Sequence, residues 1–196
     1  MNRIPLSAKV FYSVWMAVWV PVYWQQNGPA NFLWLCDFAN WMVFLAIWTE
    51  SALLASSQLA GIFLIQLVWA VDFASGLLFG RHPVGGTEYM FDSATPLWLR
   101  GLSLFHLWTV LLLVWLVRQI GYDRRGWQVQ TAIAGVLFPL GVVAGTREQN
   151  LNWIYAPFGL TQTALEPLLF AVVAVPIAAL LLFLPGDWIA RRFLVR

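Results

Sequence analysis

Between Ser51 and Phe79 the chain carries one ionisable side chain, Asp72. A stretch so long and so poor in charge has few places to go. In water, other protein would have to bury its whole girth. A bilayer core accepts it directly, at ~20 apolar residues per helical crossing. Five further apolar runs obey the same rule. Together they predict an all-α, polytopic transmembrane bundle of six helices in a single domain, with spans at about 7–24, 31–49, 51–79, 96–120, 127–145 and 167–184.

Composition agrees on the solvent. Of 196 residues, 10% are charged and 61% hydrophobic, and the mean hydropathy is +0.72. An ordinary soluble domain carries about 25% charged residues, and a water-facing surface cannot be made from less than half of that. The 13 Trp and 5 Tyr suit a protein whose rings sit at headgroup level. The basic residues are dispersed, which argues against a nucleic-acid partner. Cys36 stands alone, so no internal disulfide forms.

Local punctuation sets the limits. Asn27-Gly28-Pro29 separates the first two spans, Thr95-Pro96 has the cap-then-proline form of a helix start, and Gly121 and Pro185-Gly186 read as stops. Thr49-Glu50-Ser51 is a turn without Gly or Pro. Arg3 and Lys9 ahead of an apolar run resemble a signal peptide, but no small-x-small cleavage site follows and Pro21, Tyr23 and Trp24 read as an interface anchor. The segment is therefore expected to stay as the first helix.

Orientation comes from counting Lys and Arg by side. One face holds Arg3, Lys9, Arg118, Arg124, Arg125, Arg191, Arg192 and Arg196; the other holds Arg81, Arg100 and Arg147. Positive charge stays inside, so both termini are expected in the cytoplasm of a bacterial cell, with the 80–95 and 146–165 loops outside its inner membrane. No helix pattern repeats between the halves, which leaves an inverted-repeat transporter without support.

Ionisable groups inside spans cost roughly 2.5–3.5 kcal/mol each on insertion scales, so each needs a reason. Asp37, Asp72, Arg100 and His106 are the four. At 1.5 Å per residue they fall in the outer half or at the midplane, as a polar site opening outward requires. Arg100, Ser103 and His106 step by three along one stripe of the fourth helix, and Asp37 shares a face with Asn40. Glu148 and Asn152 in an outer loop would close over them.

Each residue has a plainer reading too. Asp37 and Arg100 would serve equally as an interhelical ion pair that fixes packing. His106 would be a core histidine bonded to Ser103 or to a carbonyl. Cys36 would be a small apolar filler, since no activating group is visible near it in sequence. Asp72 would snorkel to water. Gly141 and Gly145 form a small-x3-small pair that predicts close helix packing, and Pro139 and Pro176 predict kinks. No metal-binding motif and no phosphate-cradling glycine pattern is present, and no cofactor is expected.

The strings Asn31-Phe32-Leu33-Trp34 with Asp37, Gly101-Leu102-Ser103-Leu104-Phe105-His106, Gly121-Tyr122-Asp123-Arg124-Arg125 and Asn150-Leu151-Asn152-Trp153-Ile154-Tyr155 resemble a family of small bacterial six-helix membrane proteins with no assigned activity. The layout is also distantly similar to the androgen-induced family of intramembrane lipid hydrolases, six-helix proteins with a nucleophile on helix two and a histidine on helix four. That resemblance implies similar places for Cys36 and His106; the threonine usual in that family is not evident here.

The leading expectation is an enzyme that hydrolyses or modifies a lipid at the outer leaflet. His106 would be the base, tuned by Asp37, with Cys36 or Ser103 as nucleophile. Arg100 would hold a phosphate or carboxylate headgroup, and Asp72, Asn40, Glu148 and Asn152 would line the substrate site. Its partners would be membrane lipids, with a membrane-protein partner or a second copy of the chain as further candidates. A non-catalytic membrane subunit or scaffold is the alternative, and a small transporter or proton pathway using Asp37, Asp72 and His106 is the third.

Overall fold

A computed structural model describes residues 4–195. The expectation for the two chain ends, Arg3 and Arg196 included, lies outside them. Among the described residues the protein is all-helical, without strands. The helices are α1 (Leu6–Asn27), α2 (Leu35–Thr49), α3 (Ala52–Phe79), α4 (Leu97–Leu102), α5 (Phe105–Ile120), α6 (Gly126–Ala144) and α7 (Pro167–Leu194). Five stretches are long and apolar enough to cross a membrane: α1, α3, Leu97–Ile120, α6 and α7. The sixth, α2, has 15 residues, about 22 Å at helical rise. A 3₁₀ turn over Pro29–Leu33 precedes it, where the sequence had predicted helix from residue 31.

The outward surface is as apolar as a bilayer demands. Leu97 is 77% exposed, Val143 75% and Phe79 73%. Such residues face lipid at no cost, so burial here says little about hydrophobicity and much about packing.

Helix α3 is the hub. Eight consecutive residues, Ala55 to Ile62, are buried, so every face of that stretch is covered by protein. Small residues let other helices come close. A Cβ on Gly126 of α6 would lie 2.7 Å from the Ser56 carbonyl carbon, and one on Gly186 of α7 would lie 2.4 Å from the Ala60 oxygen. At Gly61 a Cβ would strike the Gln130 side chain, whose Oε1 accepts from Gln58 Nε2 at 3.1 Å. Van der Waals contact and interhelical hydrogen bonds are what hold helices together in lipid.

Two boundaries differ from expectation. Pro185-Gly186 does not stop the last helix. The turns widen over Ala179–Phe183, where Leu184 N–H bonds Ala179 O, and helix continues to Leu194. A wide turn absorbs a proline's missing N–H without breaking the helix. The fourth span, in contrast, breaks between α4 and α5 at Ser103 and Leu104. At the α2–α3 turn Glu50 adopts a left-handed backbone (φ 52°) and Ser51 Oγ caps α3 by accepting from Leu54 N. Gly141 and Gly145 pack against Leu151 of the 146–165 loop, so the small pair seats a loop and not a helix.

The tryptophans divide. Trp24, Trp98 and Trp188 are more than half exposed, in keeping with headgroup anchors, whereas Trp19 is fully buried. It packs edge-on to Phe105 at 5.7 Å and against Tyr23 at 4.7 Å, part of an aromatic layer through which α1 meets α5.

Candidate functional site

Because α2 starts at Leu35, Asp37 is the third residue of its first turn, where the free N–H groups and the helix dipole favour a carboxylate. Trp34 at the cap position offers no side-chain bond. Asn152 supplies it from the 146–165 loop: its Oδ1 accepts from Leu35 N at 2.9 Å, and its Nδ2 donates to Leu33 O at 2.8 Å. Asp37 is buried and accepts from Asn31 Nδ2 at 2.5 Å. The expected Asp37–Arg100 ion pair is not formed. Arg100 donates from Nη1 to Met90 O at 2.9 Å, because the break after α4 leaves it on a short helix against the 80–95 loop. Its Nε is buried without a protein partner.

That same break shapes the centre of the cluster. Hydrogen bonds shorten to three-residue steps, Ser103 N to Arg100 O at 3.0 Å and Leu104 N to Gly101 O at 3.2 Å. Ser103 is buried there, with its hydroxyl 2.7 Å from the Tyr23 hydroxyl. Its carbonyl accepts from His106 Nδ1 at 2.7 Å. A carbonyl can only accept, so Nδ1 carries the proton and the neutral ring keeps its lone pair on Nε2. The imidazole lies parallel to Trp69 at 4.6 Å and against Phe105 at 4.0 Å, 8% exposed.

Tyr89 reaches in from the 80–95 loop. The residue is 40% exposed, and enclosure of its hydroxyl pushes the phenol up to about 12. Two expected residues, Ser103 and His106, thus meet two that sequence reasoning missed as site members, Tyr23 and Trp69, whereas the hydrogen bonds of Asp37 and Cys36 run within α2 and the turn before it. Tyr23 was legible in principle. Tyr12, Met16, Trp19 and Tyr23 form one buried stripe at steps of four, three and four, while the neighbouring Trp24 is exposed.

The other expected site residues serve elsewhere. Asp72 is fully buried and does not snorkel; its carboxylate accepts from Val84 N at 2.7 Å, Gly86 N at 3.1 Å and Thr87 Oγ1 at 2.7 Å, and so ties down the 80–95 loop. His82, unremarked in the sequence, places Nδ1 2.9 Å from Thr87 Oγ1. Asn40 clasps α1 to α2, accepting from Tyr12 OH at 3.0 Å and donating to Cys36 O at 3.3 Å. Glu148 is exposed, and its own backbone N–H with Thr146 holds its carboxyl below the ordinary value.

Chemically the cluster offers an imidazole lone pair, a phenol and a serine hydroxyl in an enclosed setting. No side-chain hydrogen bond among the described residues links His106 to Cys36 or to the Ser103 hydroxyl. Among those residues, no group of three or more His, Cys, Asp or Glu is placed to hold a metal ion. Comparison of the chain with family models, with curated proteins and with solved structures finds no match.

Proposed function

We propose that this is a six-span protein of a bacterial inner membrane, both termini cytoplasmic, whose outer-half cluster receives a lipid headgroup and modifies it with His106 as general base. The eight-to-three bias of Lys and Arg supports the orientation. One observation carries the chemistry: the Ser103 carbonyl fixes Nδ1 as the protonated nitrogen of His106, which leaves Nε2 as a proton acceptor. The nucleophile is Ser103 or Cys36, and Ser103 must first release the Tyr23 hydroxyl. The unpartnered Nε of Arg100 suits a phosphate or carboxylate oxygen of the headgroup. His106→Gln keeps the donor and most of the volume but removes the base. It is expected to abolish turnover in a panel of phospholipid and acylglycerol substrates while the thermal midpoint of the purified protein stays within about 2 °C, roughly 1 kcal/mol or less at this chain length.

A second reading, a non-catalytic subunit or scaffold, is favoured by the pairing within the cluster. Ser103 already bonds Tyr23, and Asp37 already bonds Asn31, so these groups also tie α1 to the α4–α5 break and α2 to the turn that precedes it. On that reading wild type turns over nothing in the panel and His106→Gln lowers the midpoint.

A further inference from the structure

At the opposite end of the bundle, where α7 ends beside the α5–α6 connection, lies a cleft of about 370 Å³ lined by Tyr122, Arg124, Trp188, Arg191, Arg192 and Val195. Three of its six walls are guanidinium groups. The carboxylate beside it is Asp187, itself 1% exposed and fully engaged: Oδ1 accepts from Tyr122 OH at 2.8 Å, and Oδ2 accepts from Arg191 Nε at 2.8 Å and lies 2.8 Å from Nη2. The buried acid therefore holds Arg191 in place and leaves the rest of its guanidinium to the cleft. Arg124 and Arg192 have no carboxylate partner among the described residues, and Arg192 lies over the Phe193 ring at 6.0 Å. Nearby Asp123 does not compensate them, because Arg125 takes both of its oxygens at 2.8 and 3.1 Å and holds its carboxyl down to about 2. Trp188, 55% exposed, marks the depth at which an indole meets lipid headgroups.

A concavity with one fixed and two uncompensated guanidiniums, rimmed by interfacial aromatics, is built for a phosphate that arrives from the membrane plane. We propose that this cleft binds the phosphate of an acidic phospholipid headgroup, in the inner leaflet on the topology above. The site is separate from the His106 cluster and independent of what that cluster does.

The test uses the full chain purified in a neutral detergent. Phosphatidylglycerol, phosphatidylcholine or inorganic phosphate is added, and bound lipid is counted by native mass spectrometry alongside the thermal midpoint. Wild type is expected to keep one phosphatidylglycerol and gain stability from it, with no such response to phosphatidylcholine or phosphate. Arg124→Gln/Arg192→Gln is expected to bind phosphatidylglycerol at least about tenfold more weakly, in line with the contribution of a basic residue near an anionic surface. Arg81→Gln/Arg147→Gln, which removes an equal charge outside the cleft and leaves the Asp123–Arg125 pair intact, is expected to bind like wild type. Equal binding by wild type and the Arg124→Gln/Arg192→Gln variant, an equal loss in Arg81→Gln/Arg147→Gln, or a response to inorganic phosphate alone would each overturn the assignment.

Discussion

Asn152 shows how a residue can be noticed for the wrong reason. A polar residue in an outer loop suggested a group closing over a substrate site; in the fold it caps α2 from 117 residues away. The pairing depends on where α2 begins, and a difference of four residues at that start also gave Asp37 a helix N-terminus in place of Arg100. Single-residue partnerships of this kind are not legible from hydropathy. What was legible was that Asp37 and His106 lie inside apolar spans and so require polar company. Replacing Asn152 by Ala strands Leu35 N–H and Leu33 O and is expected to cost about 1–2 kcal/mol. In thermal unfolding this is a fall of about 2–8 °C. Asn152→Asp keeps the acceptor for Leu35 and should fall less. An Asn152→Ala protein as stable as wild type would show that the cap contributes nothing.

Helices were read well along their lengths and poorly at their ends. Span hydropathy sums over about 20 residues, so no single side chain can hide it, and the last helix has the highest mean hydropathy of the five spans at 2.8. Pro185-Gly186 misled because those residues end helices in water, where freed backbone groups find solvent. Inside a bundle a wide turn and a neighbouring helix take over that task. Gly186 is in fact a contact point with α3, whereas Gly135 on α6 has nothing within 4 Å of where its Cβ would be. Gly186→Ala must push α7 from the Ala60 carbonyl and is expected to cost roughly 1–3 kcal/mol. Gly135→Ala is expected to be neutral or to stabilise by up to about 1 kcal/mol through helix propensity. Thermal unfolding of the pair separates close packing from a general intolerance of added methyls; equal effects would remove Gly186 from the packing role given to it.

Across the whole molecule the two ends are built differently. At one end Asp72 binds the 80–95 loop, Asn152 reaches α2 and Arg100 holds Met90, so the loops are tied down over the polar cluster. The other end is held by short links: Lys9 Nζ to Glu50 Oε1 at 2.9 Å, Ser56 Oγ to Asp123 N at 2.9 Å, and Arg118 Nε to Leu194 O at 2.8 Å. We propose that the first end faces outward in a six-span topology, which would place the His106 cluster in the outer half of the membrane and the arginine cleft in the inner leaflet. Cys36 is the only cysteine, so Cys36→Ala gives a clean background for Ser93→Cys, Thr163→Cys and Arg125→Cys, one at a time, labelled in right-side-out spheroplasts with a membrane-impermeant maleimide. Labelling of positions 93 and 163 in intact spheroplasts, with position 125 silent until the membrane is opened, is the expected result; labelling of position 125 from outside, or silence at 93 and 163, would contradict it.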